Sequence, residues 1–189
     1  MTATPTTETV NLTGDYTLDP AHSRIGFVAR HAMVTKVRGL FKEFDGAIHL
    51  DGEDPTRSSA RVSIEVASID SQQADRDAHL RGADFFDAER FPTMTFASTR
   101  VDPAADGRYT LTGDLTIRDI TRPVSIDLEL TGVVRDPWGM HRIGFEGSVA
   151  VNRRDWDLSW NMPLDTGGLL VSEKVTIELD VALVRPAQG

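Results

Sequence analysis

Residues 109–130, YTLTGDLTIRDITRPVSIDLEL, alternate apolar and polar side chains almost without a break. Tyr109, Leu111, Gly113, Leu115 and Ile117 fall on one face of an extended chain. Val124, Ile126, Leu128 and Leu130 resume the same period after Thr121-Arg122-Pro123. A period of two marks a strand buried on one side, because successive side chains leave the backbone in opposite directions. The stretch therefore reads as a β-hairpin with its turn at Thr-Arg-Pro and with Thr, Asp, Glu and Arg facing water.

The same period recurs on both sides of it. Ile25, Phe27, Ala29 and His31 share a face, as do Phe44, Gly46, Ile48 and Leu50, and Ala60, Val62, Ile64 and Val66. Met94 and Phe96 begin another set, Ile143, Phe145, Gly147, Val149 and Val151 form a further one, and Val175 to Leu183 the last. Gly, Pro and Asp punctuate these runs at DGEDP (51–55), DPAADG (102–107) and RDPWG (135–139). Roughly eight or nine strands joined by short connections predict an all-β sandwich or closed barrel. Residues 71–87, SQQADRDAHLRGADFFD, break the pattern and read as a short helical crossover that Gly82 ends or interrupts. Pro163 and Gly167-Gly168 make residues 160–173 irregular, which suits a loop over a barrel mouth.

Composition narrows the chemistry. With 189 residues, 40% hydrophobic and 26% charged, one globular domain is expected. A net charge of −9 argues against a nucleic-acid partner, whose phosphates demand Lys and Arg. The absence of cysteine excludes disulfides, thiolate metal sites and a cysteine nucleophile. Residues 1–13, rich in Thr, are expected to form a loose tail before a domain spanning 14–186. They carry neither the basic start nor the apolar run of a secretory signal, so a cytoplasmic location is expected. No integral membrane segment is expected, since no run approaches the roughly 20 apolar residues of a spanning helix.

The reactive residue types form no recognised constellation. His22, His31, His49, His79 and His141 include no HExxH or His-x-His spacing. His22, beside the turn sequence Asp19-Pro20, reads as a brace for that turn. His31 lies on the apolar face of its strand, either as a hydrogen-bonded rim residue or as a polar contact for a ligand head. Asp75, Arg76, Asp77 and His79 cluster in sequence, but helix neighbours do not face one another. No GxSxG elbow or phosphate-binding loop is present, so neither catalytic residues nor a metal or cofactor is expected.

YTLDPAHSRIGFVARH (16–31), GLFKEFDGAI (39–48), SID (68–70) followed by RDAHLRGADFFDAERFPTMTFAST (76–99), GDLTIRDITRPVSIDLEL (113–130) and FEGSVAVNRRDWDLSWN (145–161) together resemble the YceI-like family. The resemblance runs from about Tyr16 to about Leu183. It implies a lipocalin-like, eight-stranded antiparallel barrel with a short helix packed against it and an apolar channel for a polyisoprenoid. It transfers no catalytic residue. Many relatives are periplasmic with a signal peptide, and none is expected here. Asp119 and Asp157 stand where many relatives are expected to carry Gly.

Strand faces and resemblance together nominate Ile25, Phe27, His31, Phe41, Phe44, Phe96, Ile117, Phe145 and Val149 as ligand-binding. The expected partner is a long-chain isoprenoid or related amphiphilic lipid, bound and sequestered or transported without catalysis. Arg118 and Arg122 would meet a diphosphate head if they lay at the mouth, but read equally well as an exposed charged hairpin. Two rival readings remain at this point: an enzyme holding a hydrophobic substrate with His31 or His79 as base, and a filled barrel serving protein interaction. A homodimer is left open.

Overall fold

The alternating runs become eleven strands in the computed structural model, which describes residues 11–186. They are β1 (Gly14–Leu18), β2 (Arg24–His31), β3 (Thr35–Phe41), β4 (Phe44–Leu50), β5 (Ser59–Glu65), β6 (Ile69–Asp70), β7 (Thr93–Pro103), β8 (Arg108–Ile117), β9 (Ile120–Arg135), β10 (His141–Asn152) and β11 (Lys174–Arg185). The helix α1 (Ala74–Arg81) interrupts them between β6 and β7. Neighbours run β1-β4-β5-β7-β8-β9-β10-β11, and β11 returns to β1 by pairing Val184 with Thr17 and Leu183 with Leu18. The result is a closed, eight-stranded antiparallel barrel with one helix, as the resemblance implied. Closure removes the sheet edges that would otherwise template aggregation.

Two of the staves are broken, and the breaks shape the interior. A 3-10 turn at Pro20–His22 separates β1 from β2, so β11 pairs β1 at its C-terminal end and β2 from Thr176 to Asp180. Asp19 caps that turn by accepting from the Ala21 N–H at 3.0 Å and holds His22 Nδ1 at 2.8 Å, the bracing role expected for His22. The partner stave is β3 followed by β4. Toward the β2–β3 turn, β2 and β3 pair with each other from Ile25–Phe41 to His31–Thr35.

The hairpin expected over 109–130 is present, but its turn is not at Thr121-Arg122-Pro123. Ile117 pairs with Ile120, so the turn is Arg118-Asp119, both left-handed at φ +50° and +65°. Thr121, Arg122 and Pro123 lie within β9. Two left-handed residues give the twist that a tight hairpin needs, and this register brings Leu115, Gly113 and Leu111 opposite Arg122, Val124 and Ile126. Pro123 is tolerated there because it pairs with Asp114 of β8 while β10 joins β9 only from Asp127 onward. Its missing N–H has no ladder to serve.

The expected helical crossover is α1, and Gly82 is its C-cap. Asp75 and Asp77 in the first turn and His79 and Arg81 in the last complement the helix dipole. Buried Asp77 accepts from the Ser71 N–H at 2.8 Å, while Arg76 donates to the Ser71 carbonyl at 2.6 Å and Arg81 to those of Ala67 and Ile69. These ties press the helix onto the β6 end of the barrel. No helix among the described residues is long and apolar enough to cross a membrane.

Of the segment 1–13, residues 1–10 lie outside the described residues. Leu12 packs against the core, and Tyr16 donates its hydroxyl to the Leu12 carbonyl at 3.0 Å.

Candidate ligand cavity

The barrel interior is filled at one end and hollow at the other. Phe41, Val66, Ile69, Ile117, Trp156 and Leu158 are all buried near the end where α1 and the β10–β11 connection sit. Trp156, 2% exposed, is the keystone: its indole N–H donates to the Leu115 carbonyl at 2.9 Å, so its one polar atom is satisfied inside the apolar mass. Arg153 holds the following segment in place. Its guanidinium, buried without a carboxylate against it, donates to the carbonyls of Leu158, Val171 and Ser172. Burial pulls its pKa below the usual arginine value, against a weaker opposing effect of Glu173.

Toward the opposite end the inward faces enclose an apolar cavity of about 220 Å³. Leu18, Ile25, Ile48, Val62 and Ile64 supply part of the wall, Phe96, Val101, Leu111 and Leu115 another part, and Val124, Ile126, Phe145, Ile177 and Leu179 a third. Leu12 and the β4–β5 connection, including Asp51, Gly52, Pro55, Ser58 and Ser59, rim it. The rim and the plug are thus at opposite ends, since β4 ends and β5 begins where β6 and α1 do not reach.

The lining contains no Lys, Arg or His. Among the described residues Asp51 is its one charged residue, and that carboxylate is engaged by its own turn. It accepts from the N–H groups of Glu53 and Asp54 at 3.0 and 2.8 Å and meets Arg57 Nε at 3.2 Å. The Asp54 N–H, opposed by burial and helped by the Glu53 N–H and the Arg57 charge, holds its pKa below the ordinary aspartate range. Phe96 is positioned by an absence: a Cβ on Gly113 would lie 2.4 Å from the Phe96 ring, so only glycine lets the ring lie flat against β8. Tyr109 meets Phe145 edge-on at 6.1 Å on the far wall.

The nine nominated residues do not form one site. Ile25, Phe96 and Phe145 line the cavity. Phe41, Phe44 and Ile117 are buried in the packed core outside it, and Phe27 and Val149 are half-buried against that core. His31 is exposed at the end of β2, where its backbone bridges to Val171. The difference has one cause: β2, β3, β8 and β10 run on past the hollow, and Phe44 opens β4 beyond it, so the alternation continues where there is packed core or solvent. Val101 was missed for the converse reason. A register shift between Ser98 and Arg100 turns it inward, although unbroken alternation from Met94 and Phe96 points it outward.

The remaining polar candidates lie off the cavity. Arg118 donates to the Asp157 carbonyl at 2.9 Å at the plugged end, and Arg122 is exposed. His79 meets Asp84 at 2.9 Å and stands edge-on to Trp160 and Phe85, with centroids 4.6 and 5.1 Å away. The segment 160–173, expected over the mouth, instead folds beside β2: the Leu170 N–H donates to the Met162 carbonyl and the Ala32 N–H to the Leu170 carbonyl. Among the described residues no group of three or more His, Cys, Asp and Glu side chains is disposed to hold a metal ion. A wider depression of about 1060 Å³ on the outer wall is lined by charged side chains such as Arg24, Glu129, Glu146 and Asp180, and offers an apolar chain little shelter from water.

Comparison with known proteins gives a consistent answer. The family described as the YceI-like domain matches residues 16–183. A UPF0312 protein of Photorhabdus laumondii is 38% identical over 77% of this chain and 77% of its own. The crystal structure of Burkholderia cenocepacia BcnA superposes with a TM-score of 0.77 at 26% identity, covering 87% of this chain and 98% of that one. A polyisoprenoid binding domain from Saccharophagus degradans, implicated in plant cell wall breakdown, superposes with a TM-score of 0.66 over 90% of this chain and 98% of its own. At 15% identity, that last likeness is one of fold.

Proposed function

The chain belongs to the YceI-like family, and from that premise we propose that it binds a long apolar lipid, a polyisoprenoid foremost, inside the barrel and sequesters or transports it unchanged. The observation that carries this reading is the lining: a closed wall of aliphatic and aromatic side chains, without a basic group, open past Leu12 and Pro55. Removing hydrocarbon from water contributes roughly 0.8 kcal/mol per CH₂, so a five-carbon prenyl unit gives on the order of 2–4 kcal/mol before ordering costs. Few polar contacts are then needed.

The size and charge of the cavity refine the ligand. At about 220 Å³ it is smaller than the roughly 300–1,000 Å³ of drug-sized sites, so it takes a segment of a chain while the remainder leaves by the mouth. An anionic diphosphate would meet no cation in the lining, and Arg57 beside the rim is already taken up by Asp51 and Asp54. The head group is therefore uncharged, within reach of Ser58, Ser59 and the Tyr109 hydroxyl. His31 and His79, the bases of the rival catalytic reading, lie outside the cavity.

Extraction of purified protein with organic solvent followed by mass spectrometry is the test. A stoichiometric long-chain lipid with a neutral head is expected, and Ile126→Trp, which fills the hollow, should abolish its recovery while the protein stays folded. Recovery of no lipid from protein as purified, or equal recovery from the filled variant, would overturn the reading.

A further inference from the structure

Six large apolar side chains are strongly exposed among the described residues, and four of them sit on two adjoining tips at the plugged end. Met33 and Val34, 59% and 76% exposed, form the β2–β3 turn, while Met162 and Leu169, 53% and 39% exposed, belong to the hairpin within 160–173. The Ala32 N–H donates to the Leu170 carbonyl at 2.7 Å and the Leu170 N–H to the Met162 carbonyl at 2.9 Å, so the tips lie side by side. The turn conformation adds to the oddity. Ala32 and Met33 are left-handed, at φ +51° and +61°, in a setting that favours Gly, Asn or Asp. The apex is nonetheless given to a long thioether side chain.

The surrounding charge is the reverse of the chain's. Arg38 is matched by Glu178 at 3.1 Å and Arg154 by Glu173 at 2.9 Å. Arg30, Lys36 and Lys174 then flank the tips against Asp165, in a protein of net charge −9. The tip backbones are satisfied internally: the Val34 N–H donates to the His31 carbonyl at 3.0 Å, Gly167 to Leu164 at 2.9 Å and Leu164 to Gly168 at 3.1 Å. Immersion would therefore strand few polar groups.

We propose that these two tips dock the plugged end of the barrel onto an anionic lipid bilayer, with Met33, Val34, Met162 and Leu169 entering the head-group region and Arg30, Lys36 and Lys174 meeting the phosphates. Apolar tips ringed by cations are the arrangement that an anionic interface retains. A second copy of the chain fits less well, because a two-fold contact would set the same cations against themselves. Docked this way, the protein holds its cavity mouth away from the surface.

Cosedimentation with lipid vesicles tests the proposal. The protein should bind vesicles of phosphatidylcholine mixed with phosphatidylglycerol, bind phosphatidylcholine alone far less, and be released by salt. Val34→Asp should lower the bound fraction about ten-fold. Arg30→Glu and Lys36→Glu should each lower affinity for the mixed vesicles by at least about five-fold. All three sites are exposed, and Met162→Asp on the other tip provides an independent variant should one of them fail to fold. Equal binding by wild type and the folded Asp variants would overturn the proposal, as would binding to neither vesicle. A dimer in light scattering that Val34→Asp dissolves would overturn it in favour of self-association. Solvent-extractable lipid reports the cavity separately, so the failure of either reading leaves the other standing.

Discussion

Asp119 and Asp157, the two departures from the expected glycines, both occupy left-handed backbone, at φ +65° and +58°. A non-glycine residue there carries strain, and Asp tolerates it better than most because its short side chain bonds locally. Asp119→Gly is expected to raise stability by roughly 0.5–1 kcal/mol, offset in part by a freer unfolded chain, and the urea midpoint reads it directly. Asp136 is a different case. Its carboxylate accepts from Arg142 Nε at 2.9 Å and from the N–H groups of Trp138 and Met140, and Arg142 reaches on to Asp19 at 2.6 Å. Burial raises the Asp136 pKa, but these hydrogen bonds outweigh it and the net shift is downward. A depressed carboxyl pKa contributes stability above the unfolded value of about 3.9 and loses it as pH falls through the folded pKa. Asp136→Asn should therefore destabilise at neutral pH, and its deficit should shrink below about pH 4. Parallel unfolding curves for the two proteins down to about pH 2 would contradict this.

At the scale of the element, one ladder on the outer wall runs against the usual pairing rule. Arg108, Glu129, Glu146, Asp180 and Arg24 stand directly opposite one another across β8, β9, β10, β11 and β2, so three carboxylates are consecutive. Like charges directly opposed cost a few tenths to about 1 kcal/mol, and Glu146→Gln should stabilise by about that much, less so in high salt. Such ladders could not be drawn from the sequence, though most of the elements they join could. Alternation revealed which faces turn inward in β4, β8, β9 and β11, and Gly82 marked the end of α1. What it could not carry was any event that resets the count. The shift at Ser98 and Arg100 is set by pairing with β8, and the 3-10 turn at Pro20–His22 and the two-residue turn at Arg118-Asp119, though local, leave no mark in the alternation. Ile25, Phe96 and Phe145 were legible because alternation within their own strands runs unbroken through them, the shift beside Phe145 placing its extra residue in β9. The plug was not, because Trp156 and Leu158 lie in an irregular segment whose burial depends on Arg153 and three carbonyls. Arg153→Met should leave the Leu158 and Ser172 carbonyls without their donor, while Asn161 still serves that of Val171, and should speed hydrogen exchange across 158–173, with β4 and β5 unchanged.

For the molecule as a whole, closure joins β11 to the first stave, through Thr17 and Leu18 of β1 and Arg24 to Val28 of β2, well over a hundred residues away in the chain. Contacts so distant in sequence form late, and folding in milliseconds to seconds is expected for such a topology. Removing the chain through Leu18 should open the wall, bare the edge of β4 and yield aggregates in sedimentation. The plug beneath Trp156 has a further effect once the wall is shut. A vessel with a floor admits its guest end-first and to a fixed depth, so members of a homologous series differ chiefly in how far the last carbon stands proud of the brim. On the proposed reading, longer guests would stay within reach of a recipient and shorter ones would be swallowed whole, a ruler for chain length that needs no contact with the head group.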